Sequence, residues 1–182
     1  EESEIKLGYP VLVTDITSKT IKTEDKKTIS VRRGYLIVQR VINEMALKGD
    51  PKILVDESEK VYAGMVIAKS SDGEDVIAKS SGLVKVVKNK VYILGDQHSL
   101  PINVGTEIIA KEGKFYERNE ILAAFDPWFE PILTEVAGKV EFVDIEINKS
   151  LREEIDPASN VTKRVVVEYK TEKLQPRIDI VT

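Results

Sequence analysis

The stretch Lys114–Asp144, KFYERNEILAAFDPWFEPILTEVAGKVEFVD, leaves little room for helix. Pro127 and Pro131 would each interrupt one, because proline lacks the amide donor and its ring collides with the preceding turn. Ile121–Phe125 is an apolar run of strand length, closed by the turn-initiating pair Asp126-Pro127. Pro131 reopens an extended segment, Ile132–Val136, which Ala137-Gly138 ends. Lys139–Val143 then alternates, with Val140 and Phe142 on one face of a strand. The segment reads as strand, corner, strand, glycine corner, strand.

A related unit lies upstream. Lys60–Val87 reads KVYAGMVIAKSSDGEDVIAKSSGLVKVV. Val61-Tyr62 answers Phe115-Tyr116, Val66-Ile67-Ala68 answers Ile121-Leu122-Ala123, and Ser71-Asp72-Gly73 replaces the Asp126-Pro127 corner. Gly82–Val86 answers Gly138–Phe142, and the lead-ins Ile53–Glu57 and Ile108–Glu112 match as well. The period, from Gly82 to Gly138, suits a small domain present twice rather than a solenoid. The expected division is residues 1–89 and residues 90–182, each half holding one repeat.

The flanking sequence extends the β reading. Val11–Thr14 is a strand, Thr23–Lys27 a loop, and Gly34 divides Thr28–Arg33 from Tyr35–Ile42, as a hairpin or a bent strand. Val38, Val41, Ile42, Met45 and Ala46 also fall at helical spacing, so the end of this run is read as strand through Val41 with a helical turn before Gly49. Lys90–Leu94 is a strand and Gly95–His98 a turn. Glu146–Asp156 is a charged stretch, Pro157–Asn160 a loop, and Lys163–Tyr169 and Pro176–Val181 are the last strands. Seven prolines and ten glycines punctuate short strands throughout, which predicts an all-β fold.

Composition narrows the chemistry. Hydrophobic residues make up 42%, enough for a core, and no apolar run approaches membrane-spanning length. The net charge of −4 lacks the basic excess of a duplex-gripping protein. Without cysteine there is no thiol nucleophile, disulfide or thiolate metal site, which fits a reducing cytoplasm. The chain begins at Glu1 without an initiator methionine or signal-like segment and stops mid-unit at Thr182, as a piece of something larger would.

Individual residues read as structural. His98, the only histidine, cannot build a metal site alone and suits a solvated turn. Glu24-Asp25 and Glu153-Glu154 are adjacent pairs, whose side chains point to opposite faces of a strand. Asp72, Glu74 and Asp75 around Gly73 lack the twelve-residue calcium pattern. Arg32-Arg33 and Lys26-Lys27 form a small, solvated basic patch. Asn160-Val161-Thr162 is a sequon, without meaning in a cytoplasmic chain. No catalytic, cofactor-binding or metal residue is expected. Trp128-Phe129, between Asp126-Pro127 and Pro131, is the candidate contact for a partner, set against a role capping the end of the fold.

Two strands, a tight corner and a glycine-led strand resemble the barrel-sandwich hybrid of biotinyl and lipoyl carriers. That resemblance implies a modified lysine at a hairpin tip, where this chain has Ser71 and Pro127, with Lys69 at a strand end. The run Asp126-Pro127…Pro131–Asp144, with Leu100–Gly113 and Lys173–Val181, is similar to the barrel-sandwich repeats of the bacterial RNA polymerase beta-prime subunit. It is most similar to those of the lineage-specific insertion in the trigger loop, and a second insertion, near the N-terminal clamp region of the same subunit in other lineages, is built from similar repeats. The resemblance implies two tandem barrel-sandwich hybrid repeats in a non-catalytic module. The expected partners are the remaining beta-prime and beta subunits, with downstream DNA or transcription factors as further contacts. No membrane, cofactor or small-molecule substrate is implied. The family's aspartate cluster and trigger-loop histidine have no counterpart in this sequence, so the module would modulate pausing, elongation and transcript cleavage rather than catalyse.

Overall fold

The structure is a computed structural model that describes residues 2–169 and 173–182. Among the described residues every regular element is a β-strand. In chain order the first fourteen are β1 (Ser3–Ile5), β2 (Val11–Ile16), β3 (Thr20–Lys22), β4 (Thr28–Ser30), β5 (Gly34–Ala46), β6 (Lys52–Ile53), β7 (Lys60–Val61), β8 (Val66–Lys69), β9 (Asp75–Ile77), β10 (Gly82–Val87), β11 (Lys90–Ile102), β12 (Glu107–Ile108), β13 (Phe115–Tyr116) and β14 (Ala123–Phe125). They belong to one unit, Glu1–Leu133. The second unit, Thr134–Thr182, holds β15 (Lys139–Val143), β16 (Leu151–Ile155), β17 (Thr162–Val166) and β18 (Arg177–Val181). The division therefore falls at Leu133/Thr134. It does not fall at the expected 89/90, which lies in the turn between β10 and β11.

In the first unit, β5 and β11 are thirteen-residue antiparallel strands and form the spine. The six-stranded sheet around them runs β13-β2-β5-β11-β10-β7. A five-stranded sheet, β1-β14-β12-β4-β3, and a three-stranded sheet, β6-β8-β9, complete the unit. Two larger cores result, with a smaller buried cluster of Leu12, Val41 and Leu94 against which Tyr92 and Phe115 pack. Val11, Val13, Leu36, Val38, Ile102, Ile108, Leu122 and Ala123 fill the first. Met45, Val61, Ile67, Ala68, Val84, Val91 and Ile93 fill the second. β5 and β11 thus feed one core at one end and the other core at the other end.

The change of core is made by bulges. Pairing of β5 with β11 skips Ile42 on β5, then sets Arg40 alone against Gly95-Asp96 on β11. An extra residue reverses which side chains face inward, because the period of a strand is two. Buried positions therefore run Leu36, Val38, then Val41 and Met45. The reversal mimics helical spacing, which corrects the helical turn expected before Gly49: strand continues through Ala46. Gly95–His98 likewise is not a turn but lies within β11, with His98 opposite Val38. Gly34 makes neither a simple hairpin nor one bent strand, since β4 and β5 lie in different sheets. The charged stretch after Glu146 contains β16, which pairs with β17.

The internal duplication is visible in the backbone hydrogen bonds. Ser58 N donates to Val84 O and Val84 N to Glu59 O, at 2.8 and 2.9 Å. Gly113 N donates to Val13 O and Val13 N to Lys114 O, at 2.8 and 3.0 Å. Leu54 N–Ile67 O and Ile109 N–Leu122 O repeat at 3.0 Å, and Gly64 N–Ala78 O and Asn119 N–Leu7 O at 2.8 Å. Positive φ recurs at Ser58 and Gly113, and again at Gly64 and Asn119. Residues 53–69 therefore correspond to residues 108–124. Their partners differ in origin: β9 and β10 follow the first segment directly, whereas β1 and β2 come from the N-terminal end to serve the second. The equivalent of Val61 is Tyr116, not Phe115.

Candidate interaction surface

The Asp126–Pro131 corner leaves β14 at the edge of the first core. Asp126 organises it, its Oδ1 accepting from Trp128 N at 2.9 Å and its carbonyl from Phe129 N at 3.4 Å. An Asx-type turn of this kind turns the two following side chains outward. Trp128 is 89% exposed and Phe129 66%. The corner, with Arg33 and the Asn103–Gly105 turn, lines an open cleft of about 430 Å³. Gly105 has φ +85° and a Cβ there would lie 2.4 Å from the Pro131 ring, so the turn needs glycine both for its backbone and for the proline's approach. Arg33 reaches Glu130 at 3.8 Å, an exposed pair that adds little stability.

Both side chains stand largely open to solvent and bury little area against the unit that carries them. Replacing both Trp128 and Phe129 with alanine should therefore change the unfolding free energy by no more than about 0.5 kcal/mol. Urea unfolding followed by circular dichroism checks this. A loss of several times that amount would return the pair to a capping role.

The other residues singled out in the sequence have identifiable contacts. Asp72 closes the β8–β9 hairpin tip through Ser70 Oγ and Glu74 N, and the Ser70 hydroxyl first of all holds its carboxyl below the usual range. Asp75 pairs with Lys69 at 3.4 Å, so that lysine sits at the end of β8 and not at the Ser71-Asp72-Gly73 tip where a carrier would present it. Asp25 is held low chiefly by the Thr23 hydroxyl. Lys27 reaches Glu107 at 3.5 Å, and Glu153 faces Arg164 across the β16–β17 pair at 3.1 Å. His98 lies 6.0 Å, ring to ring, from Tyr9, and the Arg40 guanidinium lies over the Tyr9 ring at 4.7 Å. The sequence marks Arg33 only as part of a small basic patch and does not mark Asn103 or Gly105 as site residues; only the pairing of distant strands brings the three beside Trp128.

No family model matches the chain. Among curated proteins it is similar to the DNA-directed RNA polymerase subunit beta' of Treponema pallidum (strain Nichols), 31% identical over 181 residues. That match covers 99% of this chain and 13% of the relative. The same subunit of Borrelia turicatae (strain 91E135) is 32% identical over 182 residues, covering 100% of this chain and 13% of the relative. That of Leptospira biflexa serovar Patoc (strain Patoc 1 / Ames) is 30% identical over 182 residues, covering 98% and 13%. The chain spans about 13% of the length of these relatives. From end to end, the chain is similar to one local region of the beta' subunit of DNA-directed RNA polymerase.

Proposed function

We propose that the chain is an insertion module of the bacterial beta' subunit, built from barrel-sandwich hybrid halves and acting through the trigger loop. The observation that carries the reading is the end-to-end match of this all-β chain to one local region of a much longer polymerase subunit. In this reading the nucleotidyltransferase centre lies elsewhere in the subunit, in the cytoplasm, and the module supplies mass and surface. A trigger loop has to fold and unfold in every nucleotide addition cycle, and a rigid domain attached to it has to move as well. Contacts made in only one of the two loop states bias that equilibrium, and with it pausing, elongation and transcript cleavage. The Trp128–Phe129 corner is the surface we assign to such contacts, with the rest of beta', the beta subunit, downstream DNA or a transcription factor as the partner.

In-frame removal of these 182 residues from the polymerase should leave nucleotide addition possible while changing pause lifetimes or cleavage rates. Single-round transcription on a pause-bearing template measures all three. Unchanged elongation, pausing and cleavage would reduce the module to a passive spacer.

A further inference from the structure

β15 repeats the setting of β10. A Cβ at Gly82 would meet Leu94 O at 2.4 Å and Ile93 Cγ2 at 2.7 Å. A Cβ at Gly138 would meet Val181 O at 2.7 Å and Ile180 Cγ2 at 2.6 Å. Val84 then pairs with Ile93 as Val140 pairs with Ile180, so β18 stands to β15 as β11 stands to β10. The backbone bonds of the first unit add β2 to the series, with Val13 in the place of Val84.

The three strands differ on their other edge. β10 is flanked there by β7 and β2 by β13, each arriving with a turn that binds N–H and C=O of the central valine. β15 has β18 as its sole strand neighbour among the described residues. Val13 and Val84 are 0% and 1% exposed, whereas Val140 is 49% exposed. Phe142 and Val136 are exposed as well. An apolar valine with an open hydrogen-bonding edge is a site for strand addition.

We propose that β15 and β18 form the receiving half of a third copy, completed by a segment of the longer subunit outside these 182 residues. The form of that segment follows from the two that fill the equivalent place, Ile53–Ala68 and Ile108–Ala123. An apolar residue (Ile53, Ile108) is followed five positions later by one able to take positive φ (Ser58, Gly113). Three further on comes the apolar residue that pairs beside the central valine's strand (Val61, Tyr116). Another three bring a glycine or asparagine at positive φ (Gly64, Asn119), and three more a buried Ile or Leu followed by Ala (Ile67-Ala68, Leu122-Ala123). The alanine keeps the sheets close where both cores are fully packed. A second copy of this chain is a poor donor, because both of its segments of this form are already paired with β10 and β2.

The inference rests on the chain being one region of a longer subunit. The test places a photo-crosslinking amino acid at Val140 in that full-length subunit within assembled polymerase, and identifies the linked peptide by mass spectrometry. A link within the same polypeptide to a segment of the stated form is expected. Amide exchange of unmodified Val140 should be at least about tenfold slower in the polymerase than in the 182-residue chain. A link to another subunit, to a second copy or to nothing, or equal exchange in both settings, overturns the proposal. Unchanged elongation, pausing and cleavage after removal of the module would refute the regulatory reading while leaving these outcomes intact.

Discussion

Leu36→Ala is expected to lower the unfolding free energy of the first unit by about 2–5 kcal/mol, the range for emptying a well-packed site. Leu36 is fully buried in the first core, and Ile67 holds the same rank in the second. Ile67→Ala should cost a similar amount. The informative result is the number of transitions. β5 and β11 each run through both cores, so neither core can melt without freeing half of the strands that support the other. Either variant should therefore shift one common denaturation midpoint, with amides of both cores losing protection together. Two separated transitions, one per core, would show that the bulges at Ile42 and Gly95-Asp96 uncouple the halves.

Gly82→Ala is the second large effect. Its new methyl group would sit 2.4 Å from Leu94 O, a backbone atom of the paired strand, and 2.7 Å from Ile93 Cγ2. Since β11 is fixed by β5 on its far side, it cannot retreat. Strain of this kind costs about 1–3 kcal/mol. Gly8→Ala is the control, because nothing lies within 4 Å of its Cβ position. Parallel urea titrations should separate the two variants clearly. Equal midpoints would mean that β10 and β11 can part at no cost, contrary to the buried valines that line them.

Much of the fold was legible from short-range pattern. Apolar alternation located β2, β10, β15 and β18, and the proline corners excluded helix around Trp128. What misled was long-range in origin. Val38, Val41 and Met45 have helical spacing only because bulges reverse the strand's inward face, and these show only in the pairing with β11, some fifty residues away. Sequence likeness identified which segments are copies but not which copies pair. It could not tell that residues 107–125 close on residues 3–16 while Lys139–Val143 is left to the second unit. The candidate surface divided along the same line. Trp128 and Phe129 were marked by their position in a proline-bounded corner, whereas Arg33 and Asn103 join them through tertiary pairing alone.

That crossed pairing also sets an order of events during synthesis. Residues 53–87 carry both members of their half, and Val61 meets Gly82 only about twenty positions along the chain. This half can gather as soon as it leaves the ribosome. The other half must hold β1 unpaired, and one edge of β2 uncovered while its other edge pairs with β5, until β13 and β14 emerge about a hundred residues later. Closing so long a loop is slow, and an exposed strand edge waiting for it invites the wrong partner. The nascent chain is therefore most vulnerable at its N-terminal strands, and that interval ends when Phe125 arrives opposite Ser3.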